Sequence, residues 1–252
     1  MLAEFRLLSI QEFMTNQIIK ISRSGVEKYL ECQRCFVLAY KHKVRPPSIP
    51  FTLNSAVDNL CKNEFDYYRE KQEPHPLFIE HGIDAVPFKH PDIDIWRQNF
   101  KGIRYHDTTI GYDFGGAVDD VWMKPNGELI ISDVKSTSKK EFDWSQTAKM
   151  HYGQGYKRQL EMYQWLFRKN GFKVANEAYL VYFNGLKNEP MFNQTLKFEN
   201  HMVRLECDDS WVEEKLVEAV KLLQNEVFPK ASHTCENCNY LRKRWSVSQK
   251  ID

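Results

Sequence analysis

Residues 128–137 read ELIISDVKST, and the fold turns on how they are read. Leu129, Ile130 and Ile131 are the apolar run of a buried strand. Asp133 and Lys135 stand two apart, and strand residues two apart face the same side, with Val134 facing the other way. A strand that enters a core on leucine and isoleucine thus ends with a carboxylate and an ammonium projecting together. Upstream, GGAVDDVWM (115–123) has strand character and KPNG (124–127) is a turn, so the two strands form a hairpin. That pairing brings Asp119 within reach of a divalent ion shared with Asp133. Two carboxylates, water and a phosphate oxygen are a normal hard-oxygen ligand set for Mg²⁺. A lysine beside them can orient water and stabilise charge developing on phosphorus. An isolated Asp-x-Lys is most often a solvated ion pair. The informative feature is the ordered set around it.

Working outward, SGVEKYLECQRCFVLAY (24–40) reads as a helix opening on a Ser24/Glu27 capping box. KVRPPSIPF (43–51) is an extended, proline-rich linker. TLNSAVDNLCKNEFDYYREK (52–71) is a second helix, with Leu53, Val57, Leu60, Phe65 and Tyr68 near helical period. Residues 72–96 are proline-broken and read as a loop that covers a substrate. Strands begin near residue 103. GYKRQLEMYQWLFRKNG (155–171) is a helix whose apolar face is Leu160, Tyr163, Leu166 and Phe167, stopped by Gly171. It sets Gln159 and Tyr163 at i,i+4 on one face. Residues 173–185 and 196–207 read as strands. DDSWVEEKLVEAVKLLQNE (208–226) is the last helix, with a Ser210/Glu213 capping box. This order implies one α/β domain with a mixed β-sheet flanked by helices.

Composition narrows the function classes. The chain has 252 residues, 42% hydrophobic and 27% charged, enough to bury a sizeable core. A net charge of +1 gives no global attraction to polyanions, so a nucleic-acid site has to be a local basic groove. No apolar run approaches the roughly 20 residues that span a bilayer. Residues 1–24 lack the basic and apolar regions of a signal peptide. The expected location is the cytoplasm, where the six cysteines serve as thiols or metal ligands rather than disulfides.

GAVDDV, then IISDVKST, then QLEMY resemble the PD-(D/E)XK nuclease superfamily. The closest similarity is to its RecB-like branch, which includes the CRISPR-associated RecB-like exonucleases. SGVEKYLECQRCFVLAY is similar to that branch's N-terminal segment, and CENCNY (235–240) to its closing cysteine motif. The resemblance implies a restriction-endonuclease-like core and a single nuclease-like domain over residues 20–245, preceded by an extension, 1–19. It implies a Mg²⁺- or Mn²⁺-dependent deoxyribonuclease, acting by exonuclease attack on single-stranded ends. Asp119 and Asp133 become metal ligands, the Val134 carbonyl a further ligand, and Lys135 the catalytic lysine. Gln159 and Tyr163 match the branch's Gln-x-x-x-Tyr motif, placed to touch DNA and support the site. The branch also uses an early-helix residue, usually a histidine in Gly-x-x-x-His; here NSAVD puts Asn54 and Asp58 at those places. Asp58 is thus the expected third ligand, with Glu64 as a weaker candidate and a solvated helix carboxylate as the plain alternative. DNA is the implied partner, with proteins of a repair or CRISPR-type complex.

Cys32 and Cys35 form one C-x-x-C, and Cys235 and Cys238 another, at opposite ends of the chain. Four thiolates suffice for tetrahedral Zn²⁺ or an iron–sulfur cluster, and either joins the two ends. The resemblance implies a [4Fe–4S] cluster with one N-terminal and three C-terminal cysteines, whereas this chain offers two and two, which suits zinc as well. Free thiols are the remaining alternative. Cys61 and Cys207 read as buried apolar residues. Lys139, Lys140, Lys157 and Arg158 are the basic residues nearest the carboxylates, and Arg242, Lys243 and Arg244 lie in LRKRW. Lys157 and Arg158, with Gln159 and Tyr163, are the expected DNA contacts. Trp144, Tyr152 and Tyr156 are either core residues or base platforms. A rival function class is a nucleic-acid-binding or assembly module that keeps the fold without catalysis. Another is a zinc-stapled protein whose carboxylates are structural.

Overall fold

The computed structural model describes residues 18–48 and 52–249, so most of the expected extension, and the end assigned to no signal peptide, lie outside the described residues. β1 (Ile19–Ser22) leads into α1 (Arg23–Glu31) and α2 (Gln33–Tyr40). The expected single helix is therefore two, broken at Cys32, whose backbone is extended. Nor is Ser24 the cap. The Ser22 hydroxyl accepts from the Gly25 N–H at 3.2 Å, and the helix starts one residue before Ser24.

α3 (Thr52–Lys71) is the expected long helix, but its buried stripe is Cys61, Phe65 and Arg69, while Leu53 and Leu60 are exposed. The segment read as a loop holds α4 (Pro76–Glu80), β2 (Val86–Pro87) and α5 (Ile93–Trp96). It is core rather than cover: Phe78 is fully buried against Phe65 and Trp122. β3 (Ile103–Asp107) and β4 (Tyr112–Gly116) follow, then β5 (Asp120–Met123) and β6 (Leu129–Thr137). KPNG closes the β5–β6 hairpin, with Gly127 at φ 78°, in the left-handed region that glycine enters without strain.

α6 (Trp144–Lys149) and α7 (His151–Lys169) cross over to β7 (Val174–Gly185), which lies parallel to β6. β8 (Phe198–Glu206) pairs antiparallel with β7, and α8 (Val212–Gln224) follows. The Ser210 hydroxyl does not cap α8. Trp211 is the N-cap residue, and the Asp208 carboxylate accepts from the Ser210 N–H instead. A further helix, α9 (Glu236–Ser248), carries the second cysteine pair.

The described strands form two sheets, both mixed, in keeping with the expected mixed core. β1-β4-β3 is one, and the mixed sheet β2-β5-β6-β7-β8 is the other. One face of β6, with Leu129 and Ile131, packs into the main core beneath α7 and α8. The other, with Ile130 and Val134, packs with Phe65, Phe78 and Trp122 under α3 and α4. This α/β arrangement of mixed sheets flanked by helices is that of a restriction-endonuclease-like core. Cys61 and Cys207 are buried, as expected.

Candidate active site

The β5–β6 ladder stops at Asp120–Ser132, while β6 stays paired with β7 as far as Thr137. Beyond that point β6 has an open edge, and a buried strand N–H needs an acceptor. Asp119 supplies it. Its Oδ2 accepts from the Val134 N–H at 2.8 Å. The hairpin thus sets Asp119 beside the end of β6 where Asp133 and Lys135 project.

Asp133 is 2% exposed. Its Oδ1 accepts from Gln159 Nε2 at 2.6 Å, and that amide also donates to the Tyr163 hydroxyl at 3.2 Å. The other oxygen, Oδ2, forms an ion pair with the Lys135 ammonium. Burial raises the Asp133 carboxyl to about 6, against the pull of Lys135. Burial works against the Lys135 charge, but Asp133 and Asp119 outweigh it and hold the ammonium above the ordinary lysine value. The Lys135 ammonium also lies 4.8 Å from the centre of the Tyr156 ring.

α3 brings the third carboxylate. Asp58 lies beside Asp119, and the Lys62 ammonium, one turn along α3, stands between them, 2.7 Å from Asp58 Oδ2 and 3.3 Å from Asp119 Oδ1. Burial and the Asp119 charge raise the Asp58 carboxyl. Asp58 Oδ1 is buried without a hydrogen-bond partner. Glu64 is remote from this cluster in role: it is exposed and faces His75.

The structure therefore brings Asp58, Asp119, Asp133, Val134, Lys135, Gln159 and Tyr163 together. Gln159 and Tyr163 are buried, turned inward to Asp133 and to each other. Arg158 forms a two-point ion pair with Glu27, and Lys157 stands 3.7 Å from Glu161. Lys139 donates to Thr147. Arg242, Lys243 and Arg244 are exposed on α9.

Two residues of the cluster were missed by sequence reasoning. Lys62 is legible as the i+4 neighbour once Asp58 is placed. Arg23 left no signal: it lies 93 positions or more away in sequence from Gly116, Asp133 and Tyr163, and reaches them only through packing. Burial opposes its charge, but Tyr163 and Asp133 raise it above the ordinary arginine value. Gly116 makes room for this meeting, because a Cβ there would lie 2.6 Å from Tyr163 Cε1 and 3.2 Å from Arg23 Cβ.

The donor set fits a hard divalent cation. Three carboxylates converge from α3, the residue before β5, and β6, and the buried Asp58 Oδ1 lacks a hydrogen-bond donor among the described residues. A second donor set is soft. The Sγ atoms of Cys32, Cys35, Cys235 and Cys238 all lie within 4.8 Å of one another and form no disulfide. Cys35 is 3.5 Å from both Cys235 and Cys238, and Cys32 is 3.9 Å from Cys238. Burial pushes the Cys32 thiol up, but the backbone at Ser232 and Cys35 outweighs it and brings the thiol to about 7; burial raises Cys238 to about 11. No helix of the described residues is long and apolar enough to cross a membrane.

Residues 53–242 match the family model described as the PD-(D/E)XK nuclease superfamily. No curated protein matches the chain. Among solved structures, the alkaline exonuclease LHK-Exo from Laribacter hongkongensis is similar at 14% identity and a TM-score of 0.39, over 96% of this chain and 100% of that one. LHK-Exo in complex with dAMP is similar at 14% identity and 0.42, over 82% and 87%. The crystal structure of SSO0001 is similar at 14% identity and 0.36, over 84% and 79%.

Proposed function

The chain belongs to the PD-(D/E)XK nuclease superfamily, and on that premise we propose that it is a divalent-metal-dependent deoxyribonuclease that hydrolyses DNA from single-stranded ends. The observation that carries the reading is the convergence of Asp58, Asp119 and Asp133 beside a charged, half-buried Lys135, with Asp58 Oδ1 left without a donor among the described residues. Those carboxylates, with the Val134 carbonyl, would hold Mg²⁺ or Mn²⁺. When bound, such an ion polarises a phosphoryl oxygen and makes water a better nucleophile. The remaining work falls to the chain. Lys135 orients the attacking water and sets positive charge where the transition state becomes more negative. Gln159 fixes the Asp133 carboxylate, and Tyr163 fixes Gln159. DNA contact falls to Lys157 and Arg158, which are more exposed on α7, while Gln159 and Tyr163, both buried, support the site from behind.

Placement in the RecB-like branch rests on the SGVEKYLECQRC segment, the Gln-x-x-x-Tyr pair and CENC. Protein partners of a repair or CRISPR-type complex follow only from that placement. Residues 20–245 act as one domain whose ends are tied by the four thiols, in a reducing compartment such as the cytoplasm. Zinc is the metal these thiols favour. A tetrahedron with Zn–S of about 2.3 Å has edges of about 3.8 Å, close to the 3.5 and 3.9 Å seen here. A cubane places four irons between its thiolates and holds them farther apart. Colourless protein carrying one zinc per chain is expected; a brown protein carrying iron and sulfide overturns zinc.

The activity test is a cleavage assay on end-labelled single-stranded and blunt duplex DNA, with Mn²⁺ or EDTA, for wild type and Lys135→Ala. Mn²⁺-dependent loss of mononucleotides from single-stranded ends, abolished by the substitution, is the expected result. Equal activity in both proteins rejects the assignment. Internal fragments in place of mononucleotides reject the exonuclease mode.

A further inference from the structure

Among the described residues, Lys62 is the one cation that forms ion pairs with two candidate metal ligands at once. Its ammonium bridges Asp58 and Asp119, which come from different elements and would repel each other without a cation between them. It is a poor permanent partner for them. An ammonium is a compact, strongly hydrated point charge on a flexible four-carbon stem, and it neutralises a carboxylate without clamping both oxygens. Asp58 Oδ1 shows this directly, since it stays buried with no donor. The rest of the cluster is already balanced. Lys135 is paired with Asp133, and Arg23 is drawn to Asp133 and Tyr163. The Asp58–Asp119 pair is the one that Lys62 bridges.

We propose that Lys62 is a resident counter-ion: it holds Asp58 and Asp119 together while no divalent ion is bound, and has to leave them when one binds. Lys62 then sets the affinity of the site for its metal. This rests on the metal-dependent reading above. Its position favours exchange, because Lys62 and Asp58 are i,i+4 neighbours and the Lys62 side chain is 17% exposed, so rotation about its stem moves the ammonium off the carboxylates without moving α3.

The test is Mn²⁺ binding to the full chain at constant pH, read by calorimetry and by the EPR signal of free Mn²⁺, for wild type, Lys62→Met, Lys62→Arg and Asp119→Asn. Methionine keeps the length of the stem and removes the charge. Lys62→Met should bind Mn²⁺ about tenfold more tightly than wild type, because one positive charge no longer opposes two more at close range. It should also melt lower without metal and gain more from Mn²⁺ than wild type does. Lys62→Arg should bind no more tightly than wild type. If Lys62→Met binds Mn²⁺ with unchanged or weaker affinity while Asp119→Asn has lost binding, Lys62 is not a competing counter-ion, and the metal-dependent reading survives. If wild type does not bind Mn²⁺, or Asp119→Asn binds as wild type does, that reading fails and this inference fails with it.

Discussion

α3 and the start of β5 carry two ionic clusters, and they are built in opposite ways. Around Asp120 the cations are arginines. Arg69 Nη2 donates to both carboxylate oxygens at 2.8 Å, Arg97 donates to Oδ2, and the Val121 N–H donates to Oδ1. The same two arginines also hold Asp66. Around Asp119, one residue earlier, the ion-pair partners are lysines, Lys62 on Asp58 and Asp119 and Lys135 on Asp133, and Asp58 Oδ1 lacks a donor among the described residues. A guanidinium fork satisfies a carboxylate and fixes it, while an ammonium neutralises and leaves lone pairs open. The first cluster is therefore closed and structural. The second is open to a further cation. Asp119, just before β5, and Asp120, its first residue, turn to different partners, and the cation each one meets decides what it does.

The strongest way to break this contrast is to neutralise each aspartate in turn. Asp119→Asn is expected to lower cleavage about a thousandfold or more, with a thermal melt close to wild type. Asp120→Ala should do the reverse. It strands two buried guanidiniums and should cost about 3–5 kcal/mol of stability, read by urea denaturation, while the molecules that remain folded still cleave. An Asp119→Asn protein that unfolds like Asp120→Ala would erase the distinction. Gln159→Ala probes how the open cluster is held. Losing the bond to Asp133 should reduce activity or Mn²⁺ affinity roughly 10- to 100-fold, and an unchanged value would show that Asp133 needs no support.

The smallest expected effect is on pH, where the clusters should have opposite signs. Burial raises the folded-state Asp133 carboxyl to about 6, above its unfolded value. Its protonated form therefore favours the fold: that contribution is complete below about pH 4 and is lost as pH rises through about 6. Burial opposes the Asp66 charge, but Arg97 and Arg69 outweigh it and hold the carboxyl below the usual value. Its contribution is present above the unfolded value and is lost as pH falls through the lowered one. Metal-free Asp133→Asn should flatten the melting curve against pH between about 4 and 6 by roughly a few degrees, and Asp66→Asn should leave that window unchanged. Mn²⁺ affinity of the wild type should weaken as pH falls through about 6, because the ligand must be ionised.

Much of this was legible in short stretches. Alternation in ELIISDVKST put Asp133 and Lys135 on one side, KPNG gave the hairpin, and helical period put Gln159 and Tyr163 together. These are local geometries, and local geometry is what residue order specifies. Failures came where a distant partner chose the outcome. Leu53 and Leu60 have helical spacing yet face solvent, because the side of α3 that meets the sheet is Cys61, Phe65 and Arg69. A buried arginine is invisible to an apolar pattern unless its partner Asp120 is known to lie opposite. The break at Cys32 and the missing Ser210 cap were likewise misread from strings that look like continuous helix and capping box, and α9 was not anticipated.

By itself, then, the sequence determined which side chains share a face: Asp133 with Lys135, and Gln159 with Tyr163. Those relations follow from the period of a strand or a helix and need no knowledge of the rest of the chain. Only the tertiary structure decided what each face meets. Lys62 lies far in sequence from Asp119, and Arg69 and Arg97 from Asp120, and packing alone brings the lysine to the first and the arginines to the second. The energy of a buried carboxylate is set by its neighbours rather than by its own residue type, so the division between a structural aspartate and a candidate metal ligand exists only in the folded chain.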